Sequence, residues 1–444
     1  MPSALSNVDL ETYRKDFDAD PRYRLAMNAV CTTPVSKVAL KRETASRLDH
    51  SFSTHLPENK ATAQNNSGRC WMFAAMNVLR YEAARNMNLA DDFELSQNYT
   101  LFWDKLEKAN YFLQSISETL EEPDGSRLID FLLVNPLQDG GQWHMFVNLV
   151  NKYGLVPKSV MPETESSSNT GQMTFQMTSL LRSAACRMRE RGANVDAIRT
   201  ETMAAMYRVL CIHLGEPPKT FHWQWRDKDR EFHRNGEITP QEFYARHIGV
   251  DLNTYVCLIH DPRPAHRTNQ TYTVKYLGNV VGGEMVRYLN VDLETMKRAA
   301  IQQLQSGEAV WFGCDVGKCL DRDLGVMDDG LFDFDLVYGA TPTFGKAQRL
   351  TYGHSQMTHA MVFTGVDIDA DRNATKWRVE NSWSDKPGDK GFFQMSDSWF
   401  DEYMYEVAVR REFLPDEVLA GLELEPIALD PWDPMGSLAR TASA

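Results

Sequence analysis

A glutamine, a cysteine, a histidine and an asparagine occur in this chain with neighbours that suit thiol acyl-transfer chemistry. Gln64 lies six residues before Cys70, and Cys70 opens an apolar stretch that predicts a buried helix. A helix N-terminus and a nearby imidazolium lower the pKa of a cysteine thiol, so we expect Cys70 to supply a nucleophilic thiolate. The amide of Gln64 would then donate a hydrogen bond to the oxyanion that forms when the thiolate attacks a carbonyl.

The general base of such a site is a distant histidine that a third polar residue orients. His359 begins a strand-like stretch, and Asn381 follows 22 residues later. We expect Asn381 to accept the Nδ1 proton of His359 and to fix its tautomer. Trp383 would shield that bond from water, although core packing alone would also explain this tryptophan. His354 is the alternative base. His354 and His359 have no third ligand at a suitable spacing, so we expect neither a metal nor a cofactor.

These residues lie in motifs similar to those of papain-like cysteine peptidases. The stretch from Ser67 to Trp71 reads S-G-R-C-W, where the papain signature is C-G-[SA]-C-[WY]. The interval from Cys70 to His359 also exceeds that of a small papain by about 150 residues. Both departures are typical of the bleomycin hydrolase and aminopeptidase C family, which the chain resembles over nearly its whole length. Further matches to that family are Gly140-Gly141, Tyr153 to Pro157 and Pro431 to Gly436.

The resemblance implies an α+β fold of the papain-like two-lobed kind, with a helical lobe, an antiparallel barrel-like sheet lobe and an inserted helical subdomain. We therefore predict five segments along the chain. They are a leader that wraps the core (1–60), the helical lobe with the nucleophile (61–160), the inserted helical subdomain (161–300), the sheet lobe with the histidine and the asparagine (301–415), and a tail that reaches the active-site cleft (416–444).

Hydrophobic periodicity gives a coarse element prediction that agrees with this organisation. The predicted helices start at Cys70, cover Ser96 to Leu113 and His144 to Lys152, fill much of Met173 to Leu214, and include one capped by Thr239 with Pro240 at its first position. The predicted strands are Phe221–Trp225, Ala309–Cys314, His359–Val366, Lys376–Glu380, Gly391–Met395 and Tyr405–Arg410.

Further site residues follow from the resemblance alone. The second oxyanion donor would be the Cys70 backbone N–H, and Trp71 and Trp383 would be supporting aromatic residues. Gly140 and Gly141 match the wall that binds an extended substrate backbone, although a plain loop before a helix is the alternative.

The tail is the feature that makes this family aminopeptidases, because its terminal carboxylate pairs with the α-amino group of the substrate. Family members tend to end near the match to Ala439, whereas this chain continues to Ala444. Either the cleft is longer here, or Cys70 trims the tail back towards Ala439.

Composition excludes several other classes of protein. The net charge of −14 disfavours general nucleic-acid binding, and Arg226, Lys228 and Arg230 are best explained as part of a mixed-charge surface. We find neither an apolar run of about 18 residues nor signal-peptide features at the N-terminus, so we expect no membrane association. The seven cysteines include no C-x-x-C pair, and a reducing cytoplasm suits them. Apart from Cys70, we interpret the cysteines as core residues.

We therefore expect an intracellular cysteine aminopeptidase that acts on small peptides with a free N-terminus and on bleomycin-type amides. The resemblance also implies a homohexamer. A cysteine endopeptidase of the same fold is the alternative, and a non-catalytic nucleic-acid or peptide binder is an alternative of another class.

Overall fold

One large sheet separates two groups of helices in this protein. The computed structural model describes residues 4–47 and 49–440. Its strands are β1 (Thr54–His55), β2 (Phe221–Arg226), β3 (Phe232–Ile238), β4 (Tyr255–Ile259), β5 (Gln270–Val274), β6 (Tyr288–Asn290), β7 (Val310–Cys314), β8 (Leu320–Asp321), β9 (Val326–Met327), β10 (His359–Ile368), β11 (Ala374–Glu380), β12 (Phe392–Ser396), β13 (Met404–Arg410) and β14 (Ile427–Leu429).

The helices fill the first half of the chain and recur singly in the second half. They are α1 (Asn7–Ala19), α2 (Pro21–Val30), α3 (Val35–Ala39), α4 (Arg42–Ser46), α5 (Cys70–Met87), α6 (Gln97–Glu118), α7 (Arg127–Val134), α8 (Trp143–Tyr153), α9 (Glu165–Ser168), α10 (Gly171–Met188), α11 (Val195–Leu214), α12 (Pro240–Phe243), α13 (Leu293–Gln305), α14 (Phe334–Tyr338), α15 (Lys346–Thr351), α16 (Asp397–Tyr403) and α17 (Asp416–Leu419). Shorter helical turns cover Tyr244–Ile248, Leu252–Thr254, Arg411–Phe413, Ala420–Glu423 and Pro434–Arg440. None of these described helices is long and apolar enough to cross a membrane.

The sheet is antiparallel at its centre and mixed towards its edges. In the described residues it has twelve strands, in the order β14, β5, β6, β4, β13, β7, β10, β11, β12, β9 and β8, with β1 added to β10. The neighbouring pairs from β4 to β12 are antiparallel. Parallel pairing joins β4 to β6, β5 to β14 and β9 to β12. The predicted α+β class is confirmed, but the sheet is mixed because several of its edge strands arrive by crossover.

Side chains alternate across the central strand β10 and thereby divide the interior into two cores. Ala360 and Val362 pack with α5 and the other helices of the first half, whereas Met361 and Phe363 pack with α13 and α16. This alternation is the period of two that a strand buried on both faces must show. Because α5 packs directly on β10, the start of the helix and the start of the strand meet.

The end of the predicted helical subdomain 161–300 differs from the structure. Its first part holds α9, α10, α11 and the β2–β3 hairpin, but β4, β5 and β6 belong to the main sheet. All five residues of β4 are buried. A short apolar run of this kind gives no periodic signal that separates a strand from a buried helix. The helix capped by Thr239 is present as predicted, with Pro240 as its first residue and a reciprocal capping bond to Glu242.

The N-terminal segment runs along the sheet lobe before it reaches the nucleophile. The backbone N–H of Lys41 donates to the carbonyl of Leu331, and the N–H of Leu56 donates to the carbonyl of Thr364. Helices α1 and α2 contribute no buried side chain to either core. The segment is therefore tied to the fold by its second half.

Candidate active site

Cys70 is the first residue of α5 and is only 2% exposed. Backbone N–H groups of Ala360, Trp71 and Cys70 itself face its sulfur and lower the pKa of the thiol. Arg69 precedes the helix without making a side-chain cap, so N–H groups of the first turn remain available to the sulfur. Because Ala360 directly follows His359, this contact brings the candidate nucleophile to the residue beside the candidate base.

Burial shifts the pKa of the Cys70 thiol in the direction opposite to the sequence prediction. Burial raises the pKa of the Cys70 thiol to about 11, although the backbone N–H bonds oppose this rise. Burial also lowers the pKa of His359 to about 4, against the effect of its bond to Asn381. Both shifts favour uncharged groups, because an ion in this closed site loses its hydration. Formation of a thiolate at Cys70 therefore requires transfer of the thiol proton to the imidazole.

His359 is oriented by Asn381, as predicted, but through the other ring nitrogen. Its Nε2 lies 2.9 Å from Asn381 Oδ1, and the same oxygen accepts the backbone N–H of Ser382 at 2.8 Å. A backbone N–H can only donate, so the side-chain atom facing Ser382 is the oxygen, and Nε2 of His359 must carry a proton. The prediction that Nδ1 makes this bond is wrong. Nδ1 is thereby left unprotonated in the neutral ring, which suits it to accept the thiol proton.

Trp383 lies against the imidazole of His359, with ring centroids 4.9 Å apart. The guanidinium of Arg322 covers the same indole at 4.6 Å and opposes protonation of His359. The indole therefore lies beside the ring whose bond to Asn381 it was predicted to shield from water. It also packs against Phe393.

Gln64 is fixed beside this group by hydrogen bonds of its backbone and of its side chain. Its backbone N–H donates to the carbonyl of Ser382, and its Oε1 accepts the Ser382 hydroxyl at 2.6 Å. Its Nε2 donates to the carbonyl of Ser67 at 2.7 Å. An amide nitrogen has two hydrogens, so one N–H remains for an oxyanion. The geometry suits the predicted donor role, because the amide is held and its orientation is defined.

A buried ion pair holds the loop before Cys70, and the sequence analysis did not identify it. Arg69 is fully buried and donates to both carboxylate oxygens of Glu163, at 3.0 and 2.7 Å. The same guanidinium donates to the hydroxyl of Ser67 at 2.9 Å. A bidentate pair of this kind fixes both position and orientation. The only sequence signal was the arginine in S-G-R-C-W, since its partner lies far along the chain.

Asp139 is a second organising group that the sequence analysis missed. Its carboxylate accepts the backbone N–H of Gly68 at 3.0 Å and pairs with Lys105 at 2.5 Å. Burial alone would raise its pKa, but the charge of Lys105 and the hydrogen bonds hold the pKa well below the ordinary range. The carbonyl of Asp139 also accepts the indole N–H of Trp71 at 2.7 Å. The available signal was a lysine among apolar residues of α6, on a face that periodicity predicts to be buried.

Close packing requires Gly141, the second glycine of the pair after Asp139. A Cβ on Gly141 would lie 2.5 Å from the indole of Trp71, so no other residue fits there. The carbonyl of Gly140 accepts a hydrogen bond from Lys108 at 2.6 Å. Trp71 and this pair therefore form one wall, and its role in binding substrate stays a prediction.

The described part of the tail packs beside the strand that carries His359 and lines a cavity. Ser437 Oγ lies 2.7 Å from the carbonyl of Met357, two residues before His359. A cavity of about 420 Å³ is lined by residues that include Lys108, Ser437 and Ala439. Cys70 and His359 lie outside its described lining. Of the two predicted tail contacts, Ala439 is buried here, and Ala444 lies outside the described residues.

Two sets of alternative candidates can also be placed. His354 is exposed and its ring packs against Phe344, so the structure brings His359 and not His354 to Asn381. The interpretation of the remaining cysteines as core residues is wrong for Cys31 and Cys186, which are exposed. All seven cysteines are free thiols.

Within residues 4–47 and 49–440, one group brings three metal-binding side chains together. Asp227, Glu231 and His233 of the β2–β3 hairpin place one ligand atom each within 4.8 Å of one another. The Asp227 carboxylate already accepts the backbone N–H groups of Asp229 and Glu231 and contacts the His233 ring. The carboxylate thus shapes the hairpin turn.

Comparisons with known proteins agree with this arrangement. The model of the Peptidase C1-like family matches residues 4–436. Human bleomycin hydrolase is 43% identical over 98% of this chain and 99% of its own length. Aminopeptidase C of Listeria monocytogenes is 43% identical over 99% of this chain and 100% of its own length. The crystal structure of PepW from Lactobacillus rhamnosis HN001 superposes with a TM-score of 0.95 at 42% identity, covering 98% of this chain and 99% of that one. These matches confirm the predicted family resemblance and the papain-like fold.

Proposed function

The chain belongs to the Peptidase C1-like family and is a cysteine peptidase, and we propose that it is an aminopeptidase acting on small peptides with a free N-terminus. The observation that carries this proposal is the contact of the Cys70 sulfur with the backbone beside His359, while Asn381 holds the far side of that imidazole. The relatives named aminopeptidase C support removal of N-terminal residues.

The first half of the proposed reaction makes a thioester. The Cys70 thiol gives its proton to Nδ1 of His359, and the sulfur attacks the scissile carbonyl. The resulting oxyanion accepts hydrogen bonds from the free N–H of Gln64 and from the Cys70 backbone N–H. The imidazolium then protonates the leaving amine, and the C–N bond breaks. Asn381 supports the imidazolium through the Nε2 bond throughout this half.

The second half regenerates the free enzyme. A water molecule gives its proton to Nδ1 of His359 and attacks the thioester carbonyl. The same two N–H donors hold the new oxyanion, and the thiolate leaves as the C–S bond breaks. The proton returns from the imidazole to the sulfur, which restores the neutral pair that burial favours.

The tail supports the choice of an exopeptidase, because it is anchored on the side of the site that carries His359. Arg263 pairs with Asp433 at 2.9 Å, and the Tyr288 hydroxyl donates to the carbonyl of Met435 at 3.1 Å. These contacts hold the tail in place up to Ala439, which is buried and lines the cavity. In the proposed enzyme the residues after Ala439 limit the cleft and offer the terminal carboxylate to the α-amino group of the substrate.

The remaining parts of the proposed function depend on the family resemblance. We propose a homohexamer in the cytoplasm that admits small peptides and hydrolyses bleomycin-type amides, as a relative named bleomycin hydrolase suggests. Exposed apolar side chains on α2, such as Leu25 at 72% and Met27 at 45%, support an assembly. Light scattering coupled to size-exclusion chromatography tests it, with a mass near six chains expected and a monomer contradicting it.

One pair of substrates tests the aminopeptidase assignment. An aminoacyl fluorogenic amide and its N-acetylated twin are assayed with and without a thiol alkylator. Cleavage of the free-amine form alone, abolished by the alkylator, is expected. Cleavage of the blocked form would favour the endopeptidase alternative, and no thiol-dependent cleavage of either form or of longer peptides would favour a binding protein.

Intact mass tests whether the tail is trimmed. If Cys70 removes residues beyond Ala439, wild type lacks the last few residues and Cys70→Ala keeps them. Identical full-length masses for both proteins would contradict the trimming hypothesis and favour the alternative, a longer cleft.

A further inference from the structure

A short strap of irregular chain carries the candidate base into the site. We define the strap as Ser355, Gln356, Met357 and Thr358, the last four residues of the segment between α15 and His359. Ser355 and Met357 are buried, at 2% and 0% exposure. The strap lies outside the sheet, and backbone bonds from Ser355 to Arg349 and from Thr358 to Cys314 hold its two ends. Side-chain contacts supply the rest of its support.

Asp315 binds the strap by hydrogen bonds from the side of the sheet. It follows directly after β7 and is 4% exposed. Its Oδ2 accepts the Ser355 hydroxyl at 2.8 Å and the Gln356 backbone N–H at 3.4 Å, and its Oδ1 accepts the Thr358 hydroxyl at 3.3 Å. One carboxylate therefore binds three of the four strap residues. Charge-assisted bonds of this kind are stronger than bonds between neutral groups.

Tyr405 extends this network into β13. Its hydroxyl lies 2.7 Å from the Ser355 hydroxyl. Since the Ser355 proton is committed to Asp315, the tyrosine donates to the serine oxygen. The strap is thus tied through Ser355 to two strands, β7 through Asp315 and β13 through Tyr405.

The tail holds the strap from the opposite side. The Ser437 hydroxyl lies 2.7 Å from the carbonyl of Met357 and equally far from that of Pro434. The Leu438 side chain covers Gly313, where a Cβ would lie 3.6 Å from Leu438 and 3.1 Å from the Met357 sulfur. Gly313 is the register partner of Ala360. The tail therefore packs on the strap and on β7, the strand that pairs with the start of β10.

From these contacts we infer that Asp315 and Ser437 are positioning residues for His359, so that the tail sets the geometry of the base as well as limiting the substrate. One residue, Thr358, separates the Ser437 contact at Met357 from the histidine. Asn381 fixes the Nε2 side of the ring, and the strap fixes the backbone from which the ring projects. A misplacement of about 1 Å at a reacting group costs about 10²-fold in rate, so loosening the strap acts on turnover.

This inference rests on the proposed base role of His359, and the experiment uses whichever substrate of the free-amine and blocked pair wild type cleaves. The variants are Asp315→Ala, Ser437→Ala and the double variant. Matched controls are Asp321→Asn, a buried carboxylate that accepts the N–H groups of Asp323 and Leu324, and Ser306→Ala, whose hydroxyl donates to a helix carbonyl.

We expect kcat to fall about 10²-fold for Asp315→Ala and about tenfold for Ser437→Ala, with KM changed less than about threefold. The double variant should lose less than the product of the single losses, because both residues act on one strap. The controls should keep wild-type kcat. Asp315→Asn retains one acceptor oxygen and should recover part of the loss.

The outcomes separate three possibilities. A wild-type kcat in both single variants, alongside an inactive His359→Ala, overturns the inference and leaves the proposed function intact. A raised KM for the free-amine substrate at unchanged kcat also overturns it, because the tail would then act only on the substrate. Wild type without thiol-dependent turnover of either substrate overturns the proposed function and the inference with it. If Asp315→Ala does not fold, Ser437→Ala decides between these results.

Discussion

The segment that carries Cys70 and the segment that carries His359 are held by different kinds of contact. We call the first segment the nucleophile wall and the second the base wall. Before Cys70, the chain is irregular and is fixed by buried charges, with Arg69 on Glu163 and Asp139 on Lys105. Around His359, the main contacts are hydrogen bonds of neutral groups, such as the bond to Asn381. The strap adds one carboxylate, but no ion pair of that carboxylate with a cation is present among the described contacts.

The sheet explains this difference. His359 is the first residue of β10 and is paired in register with Cys314 of β7, so the sheet supports its backbone on one side and the strap precedes it on the other. The loop before Cys70 has no such ladder, and buried charges replace it. A buried ion pair costs several kcal/mol when one partner is removed, whereas a neutral hydrogen bond contributes about 1 kcal/mol. Stability should therefore depend on the nucleophile wall, and fine control of catalysis on the base wall.

The largest expected effect is the loss of turnover when either reacting group is removed. Cys70→Ala and His359→Ala should each lower kcat on the order of 10⁶-fold, because nucleophile and base act as a unit. Steady-state kinetics and a thermal melt check this, with the melting temperature close to that of wild type. Cys186→Ala, an exposed thiol, is the control and should stay active. Substantial activity in Cys70→Ala would show that the two walls do not form one site.

Next in size is the cost of breaking a buried ion pair on the nucleophile wall. Asp139→Asn removes the ion-pair partner of Lys105 in a buried site, so the free energy of unfolding should fall by about 3–5 kcal/mol. Urea unfolding measures this. The matched control is Asp124→Asn, since Asp124 is 91% exposed and pairs with Arg189 at the surface, where such pairs contribute about 0–1 kcal/mol. Equal losses in the two variants would remove the contrast between the walls.

Loss of the proposed oxyanion donor is expected to cost less. Gln64→Ala should lower kcat about 10²–10³-fold, equivalent to roughly 2.7–4 kcal/mol, with KM nearly unchanged. Ser382→Ala, which removes only the hydroxyl that fixes the Gln64 side chain, should cost about tenfold by the same reasoning. If Gln64→Ala instead raised KM at constant kcat, the amide would bind ground-state substrate and not the oxyanion.

The smallest effect is a shift in the pH profile when the bond from His359 to Asn381 is lost. The wild-type acid limb should lie below the ordinary imidazole pKa of 6.5, because burial lowers the pKa of His359 to about 4. The Asn381 bond raises that pKa, so Asn381→Ala should move the limb to lower pH. A loss of about 1 kcal/mol corresponds to roughly 0.7 pH unit and about a fivefold lower kcat. A limb that moves to higher pH would mean that Asn381 does not support the imidazolium.

The identities of the reacting residues could be predicted because their chemistry is local to short motifs. Gln64, Cys70, His359 and Asn381 are brought together as the motifs indicated. The ring nitrogen was predicted wrongly, because sequence carries no information on which face of an imidazole a strand presents. The backbone N–H of Ser382 fixes which atom of the Asn381 amide faces His359, and this contact is visible only in the folded turn.

The supporting residues were beyond the reach of the sequence for a different reason. Asp139 and Lys105 look ordinary in isolation, and their importance comes from a contact between distant segments in the interior. The raised pKa of the Cys70 thiol also depends on contact between distant segments, because Cys70 is buried where α5 packs on β10. The strand β4 was missed because a short apolar run carries no periodic signal.

The most direct test is to trap the covalent intermediate that joins the two walls. Wild type is acid-quenched during turnover of an aminoacyl ester and analysed by intact mass and peptide mapping. The expected result is a mass increase of one aminoacyl group, located on the peptide that contains Cys70 and absent from Cys70→Ala. Continued turnover with no adduct under these conditions, or an adduct on another residue, would contradict thioester catalysis by the Cys70–His359 pair.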